Sequence, residues 1–215
     1  MRWHDSFATR TTLKQSDYFG IVSGAKENKI AKYDSIIAEQ RLEQYLANVI
    51  EQISIYHPNK IHVCCVGDLI SGNIHKTVQV TNRENVIDQI KIATELISSF
   101  CYELTKYSHV CFYNVSGNHT RLDRKDDALK DERLDDIIGW AVGLNLKHIN
   151  NFKYMDNNID TGICVFNVAG LDYVAVHGDY DSPTPRGVSA LSMMVNTVPY
   201  AILRGHLHTV KMDEV

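Results

Sequence analysis

The stretch Ile61-His62-Val63-Cys64-Cys65-Val66-Gly67-Asp68 carries the fold prediction for this chain. A mostly apolar run of six residues leads directly into a glycine and an aspartate. A short run of this kind is typical of a buried strand, and the glycine allows a sharp turn where the strand ends. We therefore predict a strand over 61–66 that presents the Asp68 carboxylate at its end.

The same arrangement returns three times. Apolar runs lead into the clusters Gly117-Asn118-His119, His177-Gly178-Asp179 and Gly205-His206-Leu207-His208. These runs predict strands over 110–115, 171–176 and 201–203, and 162–168 is expected to pair with 171–176 through a hairpin turn at Ala169-Gly170.

Helices are predicted between these strands. Apolar residues recur at three- and four-residue steps over about 34–56, 84–106 and 137–144, with a short helix near 188–196. Thr81 or Asn82 is expected to cap the second helix, and the charged residues 121–136 are expected to form an exposed loop and helix start. Helices alternate with buried strands first and strands pair later, which predicts a layered α/β or α+β sandwich with its site at the strand ends.

Length and composition predict one domain. The chain has 215 residues, of which 44% are hydrophobic and 22% charged, as in an ordinary globular protein. We expect an irregular segment over 1–32 and a single domain over 33–215. The net charge of -4 and the pI of about 6.2 give no global electrostatic case for nucleic-acid binding.

The cysteines and the apolar runs favour a cytoplasmic protein. The five cysteines are an odd number without zinc-finger spacing, which favours reduced thiols. No apolar stretch is long enough to predict a membrane span, and the N-terminus has no signal-peptide core.

Asp, Asn and His at strand ends are the ligand types of a hydrolytic site with two metal ions. Asp68 is the candidate to bridge the ions, and Asn118 could offer its carbonyl oxygen. His119 is the candidate general acid. In an extended segment, His206 and His208 would point to the same side. Each of these residues alone is as well explained by a turn or a surface position; their order along the chain makes the case.

That joint pattern, Gly67-Asp68-Leu69-Ile70-Ser71-Gly72 followed by Gly117-Asn118-His119, His177 and Gly205-His206-Leu207-His208, resembles the calcineurin-like metallophosphoesterase superfamily. The resemblance extends from about residue 32 to 208. The stretches around 28–42, 67–75 and 116–121 look most like phage and prophage members described as DNA-repair exonucleases.

The resemblance implies a fold of mixed sheets flanked by helices, and roles for individual residues. Asp68 would bridge two divalent metal ions, with Mn²⁺ expected first and Zn, Fe or Mg as alternatives. Asn118, His177 and His206 would hold the second ion, and His208 would reach the first. His119 would act as the acid, and Arg121 could pair with a substrate phosphate.

The chain departs from the family pattern at its start. The family's first strand ends in Asp-x-His, which binds the first metal, and this chain has no such motif. His4 and Asp17 are substitute candidates. The chain also stops seven residues after His208, so we expect the first strand and the C-terminal strands to be missing. It could be a fragment or split enzyme, an enzyme with a substitute ligand, or a member that lost the first metal.

The resemblance implies a hydrolase of the bacterial or phage-infected cell, in which a hydroxide activated by the two metals attacks phosphodiesters in DNA. A phosphomonoesterase or small-molecule phosphodiesterase is one alternative. A non-catalytic binding or assembly protein is another, favoured by the missing motif. Action as a homo-oligomer or with a partner nuclease subunit is also left open.

Overall fold

A computed structural model of the chain describes residues 35–74, 82–123, 127–129 and 131–207. The elements follow in the order α1 (Ser35–Tyr56), β1 (Lys60–Val66), α2 (Val86–Thr105), β2 (His109–Val115), α3 (Leu134–Leu146), β3 (Phe152–Met155), β4 (Ile163–Val168), β5 (Leu171–Val176), α4 (Pro185–Val195) and β6 (Ala201–Arg204). Four helices and two three-stranded sheets make up this described part, a mixed α/β architecture consistent with the predicted α+β class.

The first sheet brings the ends of two strands together. Its order is β1-β2-β3, and both pairings are parallel. The helices α2 and α3 make the crossovers that parallel pairs require. Val66 aligns with Val115, so the segments after β1 and β2 leave the sheet side by side.

The second sheet brings the ends of β5 and β6 together. The hairpin of β4 and β5 turns at Ala169 and Gly170, whose φ angles of 53° and 87° are the left-handed values of a tight hairpin turn, as predicted. β5 then pairs with β6 in parallel, and Val176 aligns with Arg204. His177 and Gly205 therefore also leave their strands together.

The core lies in layers between these elements. Residues of β2 pack against the second sheet in one cluster: Cys111, Tyr113, Val115, Cys164, Phe166 and Ala175. On the opposite face of the first sheet, residues of α1, α2 and α3 surround Phe112. Leu191 of α4 packs on Ile163, Val174 and Val176 of the second sheet. The first sheet thus lies between helices and the second sheet.

The cysteines and the helices bear on two predictions made from composition. All five cysteines are free thiols, and Cys101, Cys111 and Cys164 are buried. None of the helices in the described part of the chain is both long and apolar enough to cross a bilayer. The irregular segment expected over 1–32 lies outside the described residues.

One local prediction was wrong, and one strand was not predicted. The cap of α2 is Asn85, whose side chain accepts a hydrogen bond of 3.0 Å from the backbone nitrogen of Asp88. Asn82 instead donates to the carbonyl oxygen of Gly72, and Thr81 lies outside the described residues. The strand β3 was not predicted because its four residues alternate polar and apolar over too short a length.

We predict that Asn85→Ala lowers the free energy of unfolding by about 1 kcal/mol, because the first turn of α2 loses its side-chain cap. Denaturation with urea would measure the change. Lys91→Ala on the same helix is a suitable control, since its ion pair with Asp88 is exposed and should contribute less than about 0.5 kcal/mol. Equal effects of the two substitutions would contradict the capping role.

Candidate metal centre

Asp68 stands on a strained turn directly after β1. The φ angles of Gly67 and Asp68 are 82° and 54°, both in the left-handed region. A Cβ on Gly67 would lie only 2.6 Å from the Cα of Gly117 and from Nδ1 of His177. A glycine is therefore needed here both for the turn and for the close approach of three segments.

Asp68, His177 and His206 form a ligand cluster. One ligand atom from each lies within 4.8 Å of the others, so the three could hold a metal ion. Nε2 of His177 is 3.3 Å from Oδ2 of Asp68 and 3.2 Å from Nδ1 of His206. Asp68 and His177 are almost fully buried, at 1% and 2% exposure, so the cluster is inside the fold rather than on an acidic surface.

His177 is oriented for metal binding by the backbone of β1. Its Nδ1 lies 2.8 Å from the carbonyl oxygen of Val66. Because a carbonyl oxygen only accepts, Nδ1 carries the hydrogen, and Nε2 faces the cluster. Oδ1 of Asn118 lies 2.9 Å from that Nε2, which adds an amide oxygen to the available ligand atoms.

The charges of the cluster keep Asp68 ionised and favour a proton on His177. Burial raises the pKa of Asp68, but the hydrogen bond and charge of His177 and the charge of His119 outweigh it, so this pKa lies below its usual value. Burial lowers the pKa of His177, but Asp68 outweighs that effect and raises it. Burial and His177 lower the pKa of His206. Asp68 therefore stays ionised, and one positive charge beside it is favoured.

His119 lies next to the ligand cluster. Its backbone nitrogen donates a 2.8 Å hydrogen bond to Oδ1 of Asp68. Its Nδ1 is 3.1 Å from the carbonyl oxygen of Ser71, to which it donates, and its Nε2 is 4.0 Å from Oδ2 of Asp68. The ring is thus held with Nε2 turned toward the cluster, where it could exchange a proton.

The expectation that 121–136 is an exposed charged segment was wrong at two positions. Arg133 and Asp135 are 5% and 0% exposed. Both carboxylate oxygens of Asp135 accept hydrogen bonds from the segments that carry Asp68 and His119, and a guanidinium nitrogen of Arg133 donates to the carbonyl oxygen of Gly117. The local sequence is largely charged, and only the helical spacing of Asp135 to the apolar Ile138 and Val142 could have indicated that Asp135 faces inward.

Asp135 is a buried acid with many donors. Burial and the nearby charge of Asp68 raise its pKa to about 6, although hydrogen bonds from the backbone nitrogens of Gly117 and Leu69 and from the Thr120 hydroxyl act in the opposite direction. These bonds account for the presence of a carboxylate in a fully buried position.

The other predicted site residues are placed differently. Arg121 forms a backbone bridge with Arg133, and its Nε is buried without a hydrogen-bond partner among the described residues. His206 follows β6 in a turn rather than in an extended segment. That it converges with His208 on one site stays a prediction. His4, Asp17 and His208 lie outside the described residues.

A small cavity of about 130 Å³ opens beside His177. Its walls combine Arg133 with acidic and aromatic side chains, including Asp160, Asp179, Tyr180 and Asp181. The ring of Tyr180 lies 5.8 Å from the Arg133 guanidinium, and an Asp179 oxygen lies 3.8 Å from it. The arginine is thereby neutralised within the fold rather than offered to a substrate.

Comparisons with known proteins found no relative of this chain. It matches no family model, no curated protein and no solved structure. The interpretation of the site therefore depends on the chemistry of the residues just described.

Proposed function

We propose that this chain is a metal-dependent phosphoesterase of the metallophosphoesterase type, acting on phosphodiesters and most readily on DNA. One observation carries the proposal. A buried carboxylate and two imidazoles have ligand atoms within 4.8 Å of one another, and the His119 ring lies beside the carboxylate. The packing of the two sheets with helices outside them is compatible with the layered sandwich of that superfamily.

The ligand cluster fits a divalent transition metal. Carboxylate oxygen, amide oxygen and imidazole nitrogen are donors that suit Mn²⁺, Fe²⁺ or Zn²⁺. The hydrogen bond from His177 to Val66 fixes the ring so that its other nitrogen faces Asp68, Asn118 and His206. Asp68, Asn118, His177 and His206 would hold this ion, and we propose Mn²⁺ as the first choice.

The ion held by Asn118, His177 and His206 is the second of the two ions that the resemblance implies. The first ion would need ligands from outside the described residues. Asp68 has two carboxylate oxygens and could reach both ions. His208, His4 and Asp17 are the sequence candidates to complete the first position.

When bound, the ions supply positive charge that stabilises the phosphate oxygens and lowers the pKa of a water. The residues of the chain would hold the ions and supply a proton. Asn118 and His177 would offer an amide oxygen and an imidazole nitrogen, which lie 2.9 Å apart. His119, whose Nδ1 donates to Ser71, can give a proton from Nε2 to the leaving oxygen of the ester.

The choice of a phosphodiester over a small enclosed substrate, and of DNA in particular, is proposed from the resemblance of the motifs.

Three substrates compared with Mn²⁺ present would test the proposal. We expect faster hydrolysis of bis(p-nitrophenyl) phosphate and of end-labelled linear DNA than of p-nitrophenyl phosphate. Hydrolysis of the monoester alone would replace the proposal by a phosphomonoesterase. A folded, metal-loaded protein that hydrolyses none of the three would favour the non-catalytic alternative.

We predict that His119→Ala reduces hydrolysis of bis(p-nitrophenyl) phosphate by about 10²–10⁴-fold, the usual contribution of a general acid. Bound Mn²⁺ should be unchanged, because the backbone nitrogen that contacts Asp68 is retained. Steady-state kinetics and elemental analysis would measure the two quantities. His148→Ala, at an exposed position after α3, is the control. Full activity of His119→Ala would refute the acid role.

A further inference from the structure

Asp135 joins two of the segments that carry candidate metal ligands. We call residues 67–72 the Asp68 loop and residues 116–120 the His119 loop. From the Asp68 loop, the backbone nitrogens of Asp68 and Leu69 each donate to Asp135 at 3.1 Å. From the His119 loop, the Gly117 nitrogen donates at 2.7 Å and the Thr120 hydroxyl at 2.9 Å.

These bonds differ from ordinary helix capping. The cap position of α3 is Arg133, which makes no side-chain cap bond. Asp135 is the second residue of the helix, and its carboxylate turns away to groups 15 to 67 positions distant in sequence. One fully buried side chain therefore links the two loops, in addition to the direct contacts of His119 with Asp68 and Ser71.

The position of Asp135 is itself fixed. The side-chain nitrogen of Asn114 in β2 donates a 3.0 Å hydrogen bond to the backbone oxygen of Asp135. One turn later the helix approaches so closely that a Cβ on Gly139 would lie 2.8 Å from the Asn114 side chain. The start of α3 is thus held against β2, and the Asp135 carboxylate cannot follow a loop that moves.

Gly117 is held from both sides. Its nitrogen donates to the Asp135 carboxylate. Its carbonyl oxygen accepts from the guanidinium of Arg133, the residue at the cap position of α3, two positions before Asp135. The next residue, Asn118, supplies the oxygen that lies near His177. A shift of Gly117 would therefore move both Asn118 and the backbone nitrogen of His119 that contacts Asp68.

We propose that Asp135 is a positioning residue of the metal centre: it holds the Asp68 and His119 loops at the spacing at which Asp68, Asn118 and His177 can bind one ion together. The inference rests on the proposed function. A carboxylate is required because its two oxygens accept four donors, whereas an amide would turn its own N–H groups toward one or more of them.

The test compares Asp135→Asn with Asp136→Asn in the full chain. The two acids are neighbours, but Asp136 accepts the Ser116 hydroxyl rather than the backbone nitrogens of the loops. We expect Asp135→Asn to raise the Kd for Mn²⁺ by about 10–100-fold, as expected when a group that orients a ligand is lost. Asp136→Asn should stay within about threefold of the wild type, since it leaves those loop contacts in place. Calorimetric titration with Mn²⁺ well below the melting temperature would measure both.

A second readout separates positioning from general stability. Hydrogen exchange followed by NMR should show faster exchange at the backbone amides of Asp68, Leu69 and Gly117 in Asp135→Asn, with amides of α2 unchanged. If Asp135→Asn fails to fold, Thr120→Val removes a single donor to the same carboxylate and should raise the Kd by about tenfold, the lower end of such effects.

The outcomes distinguish the two proposals. Wild-type protein that binds Mn²⁺, with Asp135→Asn or Thr120→Val binding equally well, would overturn the positioning role and leave the metal centre in place. Folded wild-type protein that binds no Mn²⁺ would overturn the proposed function and, with it, this role of Asp135.

Discussion

Asp68→Asn is expected to raise the Kd for Mn²⁺ by at least about 100-fold. This exceeds the roughly 10–100-fold effect that is typical of groups that only orient a ligand. Hydrolysis of phosphodiesters should fall to background. Asn has the shape of Asp and can still accept from the His119 nitrogen. It removes the negative charge that faces His177 at 3.3 Å, and that charge is what favours a cation in the ligand cluster.

The fold of Asp68→Asn should survive. The charge of Asp68 is one cause of the raised pKa of Asp135, so its removal relieves a repulsion between two buried acids. We expect a melting temperature within about 2–4 °C of the wild type, the shift that corresponds to roughly 1 kcal/mol in a domain of this size. Glu51→Gln on the exposed face of α1 is the charge-matched control. Undiminished Mn²⁺ binding by Asp68→Asn would exclude Asp68 as a ligand.

Gly117→Ala is expected to disrupt the centre by a different route. An added methyl group would overlap the backbone nitrogen and Oδ1 of Asp68, and it would lie 2.9 Å from Cγ of the same residue. Neither segment can retreat, because Asp135 binds the nitrogens of both. We expect destabilisation by about 1–3 kcal/mol, the usual cost of overpacking, and loss of most Mn²⁺ binding.

Gly170→Ala provides the comparison. Gly170 has a φ of +87°, and a Cβ there would have nothing within 4 Å. Gly170→Ala therefore tests only the effect of a side chain at a positive φ, which should lower the free energy of unfolding by about 1–2 kcal/mol. Its Mn²⁺ affinity should equal that of the wild type. Urea denaturation and calorimetric titration would measure both variants. If the two substitutions affected Mn²⁺ affinity equally, the close approach of Gly117 to Asp68 would not explain the loss of Mn²⁺ binding in Gly117→Ala.

The sequence was sufficient for much of the fold and for part of the site. The periodicity of apolar residues placed α1, β1, β2 and the β4–β5 hairpin within a few residues, because these elements bury a regular face or turn at a residue pair suited to it. The glycine before Asp68 indicated the turn correctly. Asp68, His177 and His206 were brought together as expected for ligands at strand ends.

Asp135 and Arg133 could not be found in the same way. Both stand in a run of charged residues, and polarity of that kind normally indicates solvent exposure. Their burial depends on hydrogen-bond donors from loops that are distant in sequence. Likewise, a turn at His206 depends on backbone bonds from the Gly205 and His206 nitrogens to the carbonyl oxygen of His177, which no local pattern encodes.

The most direct test of the metal centre is the Mn²⁺ content of purified protein after soaking and gel filtration, measured together with hydrolysis of bis(p-nitrophenyl) phosphate. His177→Ala would be treated in parallel. We predict at least one Mn²⁺ per wild-type chain, turnover that EDTA abolishes, and loss of both in His177→Ala. Folded wild-type protein with no bound Mn²⁺ and no turnover would contradict the proposed metal centre.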